Sequence, residues 1–317
     1  MPLPKSAYVS DVWRDGIFAN KVVFCTGGAG TICSAQVRAL VHLGANACII
    51  GRKVEKTESV AADIATARPG AKVLGLGNVD VRNPESLQAA ADRCAKELGS
   101  IDFVIAGAAG NFLSSMNNLS TNAFKAVMDI DVLGSYNTVK ATLPYLVESA
   151  AKHKTDGVTP PAKGTGGRII FVSATIHYTG MPLQSHVMVA KAGVDQLAHA
   201  VCIEQGPRGI TSNVIAPGPI RGTEGMERLS TKANSDPAVA GRGVPSGRWG
   251  TVKEIADATV YLFSDSGNYV NGEILVVDGG AWHLNGSTGP GAEIQYPDFL
   301  LSNEVVKGVK GGKKAKL

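Results

Sequence analysis

Short apolar runs alternate with longer segments of helical spacing from residue 21 to residue 280. KVVFCTG (21–27) is a nearly unbroken apolar run ending in glycine, which predicts a strand buried on both faces. TICSAQVRALVHLGA (31–45) then spaces its apolar residues three and four apart and stops at Gly44, so a helix is expected. NACIIGR (46–52), AKVLGLGNVDV (71–81) and IDFVIAGAAG (101–110) repeat the strand signal. VEKTESVAADIATAR (54–68) and PESLQAAADRCAKELG (84–99) supply the helices between them. TNAFKAVMDIDVLGSYNTVKATLPYLVESAA (121–151) reads as one long helix, and GRIIFVSA (167–174) as a fifth strand. A helix around Lys191 runs to about Gln205. GITSNVIAPGPI (209–220), VKEIADATVYLFSD (252–265) and GEILVVDGG (272–280) add strand, helix and strand.

Such alternation predicts an α/β fold: a parallel sheet with helices on both faces. With right-handed crossovers it becomes one doubly wound domain of the Rossmann type. The expected division is an N-terminal extension (1–17), the domain (18–281) with a polar, Pro/Gly-rich surface insertion (152–167), and a C-terminal loop and basic tail (282–317). The 317 residues, 44% apolar and 18% charged, allow a large core. Much of the net charge of +4 sits in KGVKGGKKAKL (307–317), so the body is close to neutral, which weighs against a nucleic-acid partner. Cys25, Cys33, Cys48, Cys94 and Cys202 show no CxxC spacing and read as free thiols in a reducing compartment. The histidines and cysteines lack metal-ligand spacing, and no metal is expected. No apolar run reaches the length of a membrane span, and MPLPKSAYVSDVW lacks the order of a signal peptide.

TGGAGTIC (26–33) joins the first strand to the first helix. Glycines there let the backbone approach a pyrophosphate seated on the helix N-terminus. Thr26, Gly27, Gly28, Gly30, Thr31 and Ile32 are the expected cofactor contacts. Thr31 and Cys33 stand where a full glycine fingerprint has glycine, so the turn must tolerate two small side chains. The second strand ends in IIGRK, without the acid that would bind a ribose 2′-hydroxyl. Arg52 suits a 2′-phosphate instead, which favours NADPH; a solvated arginine at a strand end is the plainer alternative. Asp80, beside Val81, is placed either to accept from an adenine amino group or to cap its own turn.

TGGAGTI, NVDV, AGAAG, AKAGVDQL, NVIAPGPI and VVDGG together resemble the short-chain dehydrogenase/reductase superfamily over residues 18 to 281. AGAAGNFL (106–113), NAFKAVMDID (122–131), APGPIRGTEGMERL (216–229) and the closing AKL are similar to the peroxisomal 2,4-dienoyl-CoA reductases of the fungal type. The resemblance implies an NADPH-dependent reductase making 3-enoyl-CoA from 2,4-dienoyl-CoA during β-oxidation of unsaturated chains. Ordinary superfamily members carry a tyrosine four residues before the active-site lysine; here that residue is Val187. A dienoyl thioester accepts hydride on carbon, so no alkoxide needs a phenol, and a later proton goes to carbon.

On that resemblance Asp131 replaces the usual helix asparagine and relays the proton, while Lys191 binds the nicotinamide ribose and adds positive potential near the dienolate. Asn111 is expected to position thioester or water and Phe112 to line the acyl channel, with a turn asparagine beside a core phenylalanine as the alternative. Ser173 ends the strand that usually carries a catalytic serine, although spacing from Lys191 falls on Ala174. Asp129 is expected at the surface; His177, Tyr178 and His186 are not assigned a role. Ala108 and Gly110 join the cofactor set, as do Pro217, Gly218 and Ile220 around the nicotinamide. Gly222 and Thr223 belong to a short segment over the substrate. Arg221, Arg228, Arg242 and Arg248 are unranked candidates for CoA phosphates. Ala315-Lys316-Leu317 resembles a peroxisomal address read by an import receptor, and the superfamily implies a homotetramer or homodimer. A carbonyl reductase of the same fold, on a ketoacyl or steroid substrate, and a non-catalytic NADP-binding protein are the rival readings.

Overall fold

In the computed structural model, β1 (Val22–Thr26) is an interior strand of a seven-stranded parallel sheet. The structure describes residues 3–153, 158, 166–223, 225–226 and 244–284. The sheet order is β3-β2-β1-β4-β5-β6-β7, with β2 at Asn46–Ile50, β3 at Val73–Leu76, β4 at Phe103–Ala106, β5 at Arg168–Val172, β6 at Thr211–Pro217 and β7 at Ile274–Val277. Every residue of β1 is buried, which is why its sequence is a continuous apolar run. Val23 and Cys25 enter one core cluster, Val22 and Phe24 the other, as a two-residue side-chain period requires. The first cluster is covered by α1 (Thr31–His42) and α2 (Val54–Ala65), the second by α3 (Pro84–Leu98).

The expected long helix is two helices joined through a different winding. α4 (Thr121–Met128) passes into a π-helical segment, Asp129–Leu133, and then into α5 (Gly134–Ala151). A π turn accommodates an extra residue in the run and is frequent at functional sites. Here it buries Asp131 while Asp129 faces Lys125 in an exposed pair, 2.6 Å apart. A four-residue helix, α6 (Ile176–Thr179), has no periodicity long enough to predict it. α7 (Ser185–Gln205) comes next and carries Lys191, and α8 (Val252–Phe263) packs on α1. Several strands are shorter than expected: residues 77–81 and 107–110 leave the sheet as loops that face the site.

Residues 3–17 pack onto the domain. Tyr8, Val9 and Phe18 are buried in the first core cluster. Asp257 of α8 ties the segment down, accepting from Ser10 N (3.0 Å), Ser10 Oγ (2.5 Å) and Trp13 Nε1 (2.9 Å). Most of the expected insertion, and all of the tail from residue 285, lie outside the described residues.

Asp257→Ala removes the acceptor of three bonds at once. A loss of about 1–3 kcal/mol, the penalty for orphaned polar groups, is expected as a lowered unfolding midpoint in urea. An unchanged midpoint would mean that the segment is held by its apolar contacts alone.

Candidate active site

The sheet order reverses between β1 and β4, and the crevice beyond their C-terminal ends is where a doubly wound sheet binds its ligand. Gly27 has φ +65°, and a Cβ there would lie 2.9 Å from the Ala108 Cα. A Cβ on Gly28 would lie 2.5 Å from that of Ile49. Gly30 caps α1 without any side-chain bond, so the first N–H groups of that helix are open to an anion. Thr26 Oγ1 accepts from the amides of Gly107 (3.1 Å) and Ala108 (3.3 Å), which joins the turn after β1 to the turn after β4.

Cys33 answers the missing glycine. Its buried sulfur lies 3.8 Å from the Gly107 carbonyl, and a Cβ on Gly107 would come within 2.3 Å of it. The small residue that close helix–strand packing needs is therefore on the strand side. Thr31 is exposed at the start of α1 and Ile32 half-buried behind it.

Arg52, Asp80, Val81 and Ala108 line one cleft with Gly27. Arg52 is exposed at the end of β2, with no acid beside it in the IIGRK run. Asp80 does cap its own turn. Its oxygens accept from the Arg82 amide (2.9 Å) and guanidinium (2.7 Å), and that guanidinium holds the carboxyl below its ordinary range. The Asn137 side chain of α5 donates to the Val81 carbonyl at 2.9 Å and fixes this wall. A glycine cradle, an uncapped helix start and an exposed arginine suit a dinucleotide with an extra phosphate.

Asp131 and Lys191 meet at the end of β4 and β5. Asp131 Oδ1 accepts from the Gly110 amide at 2.7 Å, and its Oδ2 is 3.1 Å from Lys191 Nζ. The ammonium also donates to the Val172 carbonyl at 3.0 Å. Both side chains are buried, so each charge depends on the other. Val187, where a tyrosine is usual, is packed with Val127 and Ala190 against Ile176. Hydrocarbon fills the place of the phenol.

Asn111 follows Gly110, and its Oδ1 is buried without a hydrogen-bond partner among the described residues. Phe112 is partly exposed and stacks on His186, with ring centroids 4.2 Å apart. Its carbonyl accepts from Gln184 Nε2 and His186 Nε2, each at 3.0 Å. Burial lowers the pKa of His186.

Asp195 is a site residue that sequence reasoning misses, although it lies four residues after Lys191 and so on the same buried side of α7. Its Oδ2 is 2.6 Å from His177 Nε2 and accepts from Tyr178 Oη at 2.5 Å. Burial alone would raise its pKa, but the bonds from His177 and Tyr178 outweigh burial and hold it below the ordinary value. Ser173 follows β5 directly, with its Oγ buried and without a hydrogen-bond partner among the described residues. Tyr178 is pushed up by burial and by Asp195, and its hydroxyl proton is committed to that carboxylate.

Pro217 ends β6, Gly218 donates to the Val277 carbonyl at 3.0 Å, and buried Ile220 bridges to Gly250. Gly222 turns the chain at φ +70°, and Thr223 Oγ1 donates to the Ile220 carbonyl at 2.9 Å. Arg221 is exposed, whereas Arg248 is taken up by Glu254 at 2.7 Å. Arg228 and Arg242 lie outside the described residues. Among the described residues no cluster of His, Cys, Asp and Glu could hold a metal ion, and no helix is long and apolar enough to cross a membrane.

Residues 27–282 match the family described as enoyl-(acyl carrier protein) reductase. The chain is 49% identical to the peroxisomal 2,4-dienoyl-CoA reductase [(3E)-enoyl-CoA-producing] of Saccharomyces cerevisiae, over 93% of this chain and 94% of that one. It is 38% identical to the peroxisomal 2,4-dienoyl-CoA reductase of Danio rerio, over 86% and 84%. Among solved structures it resembles levodione reductase, with a TM-score of 0.74 and 25% identity over 84% of this chain and 99% of that one.

Asp195 releases its proton more readily folded than unfolded. Its contribution is complete above the unfolded pKa of ~3.9 and disappears as the pH falls through the lower folded value. Asp195→Asn should cost about 1–3 kcal/mol at neutral pH. Thermal unfolding of both proteins from pH 7 to pH 3 should show the gap closing on the acid side; a constant gap would contradict the assignment.

Proposed function

The chain belongs to the short-chain dehydrogenases/reductases, within their enoyl-(acyl carrier protein) reductase family, and from that premise we propose that it reduces 2,4-dienoyl-CoA to 3-enoyl-CoA with NADPH. The reaction serves β-oxidation of unsaturated acyl chains. The observation that carries the reading is the buried Asp131–Lys191 pair standing beside hydrocarbon at Val187. A site without a phenol suits a substrate reduced at carbon.

Bound NADPH supplies a hydride to the far end of the conjugated system. The Thr26–Ile32 turn is assigned to its pyrophosphate, Arg52 to its 2′-phosphate, and Asp80, Val81, Ala108 and Gly110 to the adenosine and ribose side of the cleft. Pro217, Gly218 and Ile220 are assigned to the nicotinamide. Charge that develops on the thioester oxygen is met by the Lys191 ammonium, already fixed by Val172 and Asp131 and so needing no reorganisation. Asp131 polarises a water that gives its proton to the α-carbon. Asn111 borders that water, Phe112 the acyl chain, and Gly222 and Thr223 the substrate mouth. Ser173, whose buried Oγ has no partner among the described residues, is assigned to the reacting end of the substrate.

Close relatives are peroxisomal by name. Ala315-Lys316-Leu317 is the proposed address for the import receptor. We assign residues 18–281 as the catalytic unit, with 3–17 folded onto it. A homotetramer or homodimer is supported by the exposed apolar residues Leu133 and Tyr136 on the π segment and α5.

NADPH consumption with 2,4-dienoyl-CoA substrates of several lengths tests the activity; none at any length refutes it. Asp131→Ala should lose about 10²–10⁴-fold in turnover, the usual weight of a proton-transfer group, while still binding NADPH. Full turnover in the variant would remove Asp131 from the mechanism. Arg52→Ala should weaken NADPH about 10–100-fold, as loss of a charged hydrogen bond implies, and leave NADH unaffected in titrations.

A further inference from the structure

Residues 110–112 are gripped at both ends by buried side chains. Asp131 takes the amide of Gly110, while Gln184 and His186 both donate to the carbonyl of Phe112. A third link, Ser114 N to Leu183 O at 3.1 Å, runs between the same two stretches. Leu183 has φ +67°, a strained setting that persists only where its surroundings enforce it.

The tautomer of His186 is dictated by this geometry. A carbonyl oxygen only accepts, so Nε2 carries the proton and Nδ1 of the neutral ring is left as an acceptor. His186 is fully buried, and its Nδ1 has no hydrogen-bond partner among the described residues. Asn111 Oδ1 and Gln184 Oε1 are in the same condition. Three buried acceptors are therefore carried by the residues around the Phe112 clamp. His186 shares the buried side of α7 with Val187, Ala190 and Lys191, and the charge of Asp131 reaches it. Acceptors are satisfied only by a donor. The thioester oxygen is itself an acceptor, so an unpartnered acceptor such as His186 Nδ1 suits water and leaves the thioester oxygen to the lysine.

The position of that water decides the product. Hydride at C5 moves the C4–C5 pair to C3–C4, the C2–C3 pair to C1–C2, and the carbonyl pair onto oxygen. A proton delivered to C2 restores the carbonyl and leaves the C3–C4 double bond, giving 3-enoyl-CoA. A proton delivered to C4 moves the remaining pair to C2–C3, giving 2-enoyl-CoA. The hydroxide left behind takes a proton from the Lys191 ammonium, which is replenished from solvent.

We propose that His186 is a positioning residue whose Nδ1 holds the protonating water over C2 of the dienolate and so sets 3-enoyl-CoA over 2-enoyl-CoA. The proposal rests on the assignment of the chain as a dienoyl-CoA reductase. It separates two duties of one ring: Nε2 clamps Phe112, and Nδ1 orders water.

Reduction of 2,4-hexadienoyl-CoA by NADPH in D2O, with the product's double bond and deuterium located by NMR, tests it. Wild type should place deuterium at C2. His186→Asn, whose side-chain oxygen stands near Nδ1, should do the same. His186→Gln keeps a donor toward Phe112 but lacks the Nδ1 acceptor, and its share of 2-enoyl-CoA should rise about tenfold, the weight of one hydrogen bond. His186→Leu is the second variant should the glutamine protein not fold, with folding and NADPH binding checked by thermal melting and fluorescence. Unchanged regiochemistry in whichever of these two folds overturns the proposal. Wild-type protein that consumes no NADPH with dienoyl-CoA instead sinks the functional assignment itself.

Discussion

A carboxylate and an ammonium 3.1 Å apart, both shut away from solvent, form the contact on which the other features turn. Neither charge is tolerable there alone, because desolvation of a lone ion costs several kcal/mol, on the order of the whole stability of a domain. Each partner comes from a different element, and each element is pinned next to it. Gly110 fixes Asp131 from the turn after β4, and Val172 fixes Lys191 from the end of β5. The pair thus joins the turn after β4, the π segment and α7 at the crevice where the sheet order reverses.

That pair is also what makes hydrocarbon at Val187 chemically sensible. Reduction at carbon leaves charge spread over a thioester oxygen and two carbons. In the mechanism proposed above, a fixed ammonium meets the first need and a water beside a carboxylate the second. Tyr178, in α6, is bound to Asp195 and serves the scaffold rather than the substrate.

Much of this is readable from the chain alone, and what escapes has physical causes. The strands of the sheet announce themselves because a strand buried on both faces must be almost wholly apolar, as VVFC in β1 is. The tight turn at Gly27 and the exposure of Arg52 at the end of β2 are legible because local geometry and charge dictate them. Asp131 is legible only through family resemblance, and its approach to Lys191 requires a change of helical winding that leaves no mark in periodicity. The exchange of roles between Cys33 and Gly107 joins positions 74 residues apart, so the chain shows an apparent defect rather than its compensation. The N-terminal segment looks like an extension because the adjacent pair Tyr8 and Val9, nine residues before Phe18, is too short to form a periodic pattern. Asp195 carries only a faint signal, its four-residue distance from Lys191.

The π segment between α4 and α5 means that the two helices cannot be drawn on a single wheel. Each inserted residue turns α4 by ~100° relative to α5. The side of α4 that covers Val187 and the side of α5 that covers the sheet are therefore set independently, like two keys cut on one blank. Deleting a single residue between 129 and 133 would swing every side chain of α4 off its target at once while leaving both helices intact.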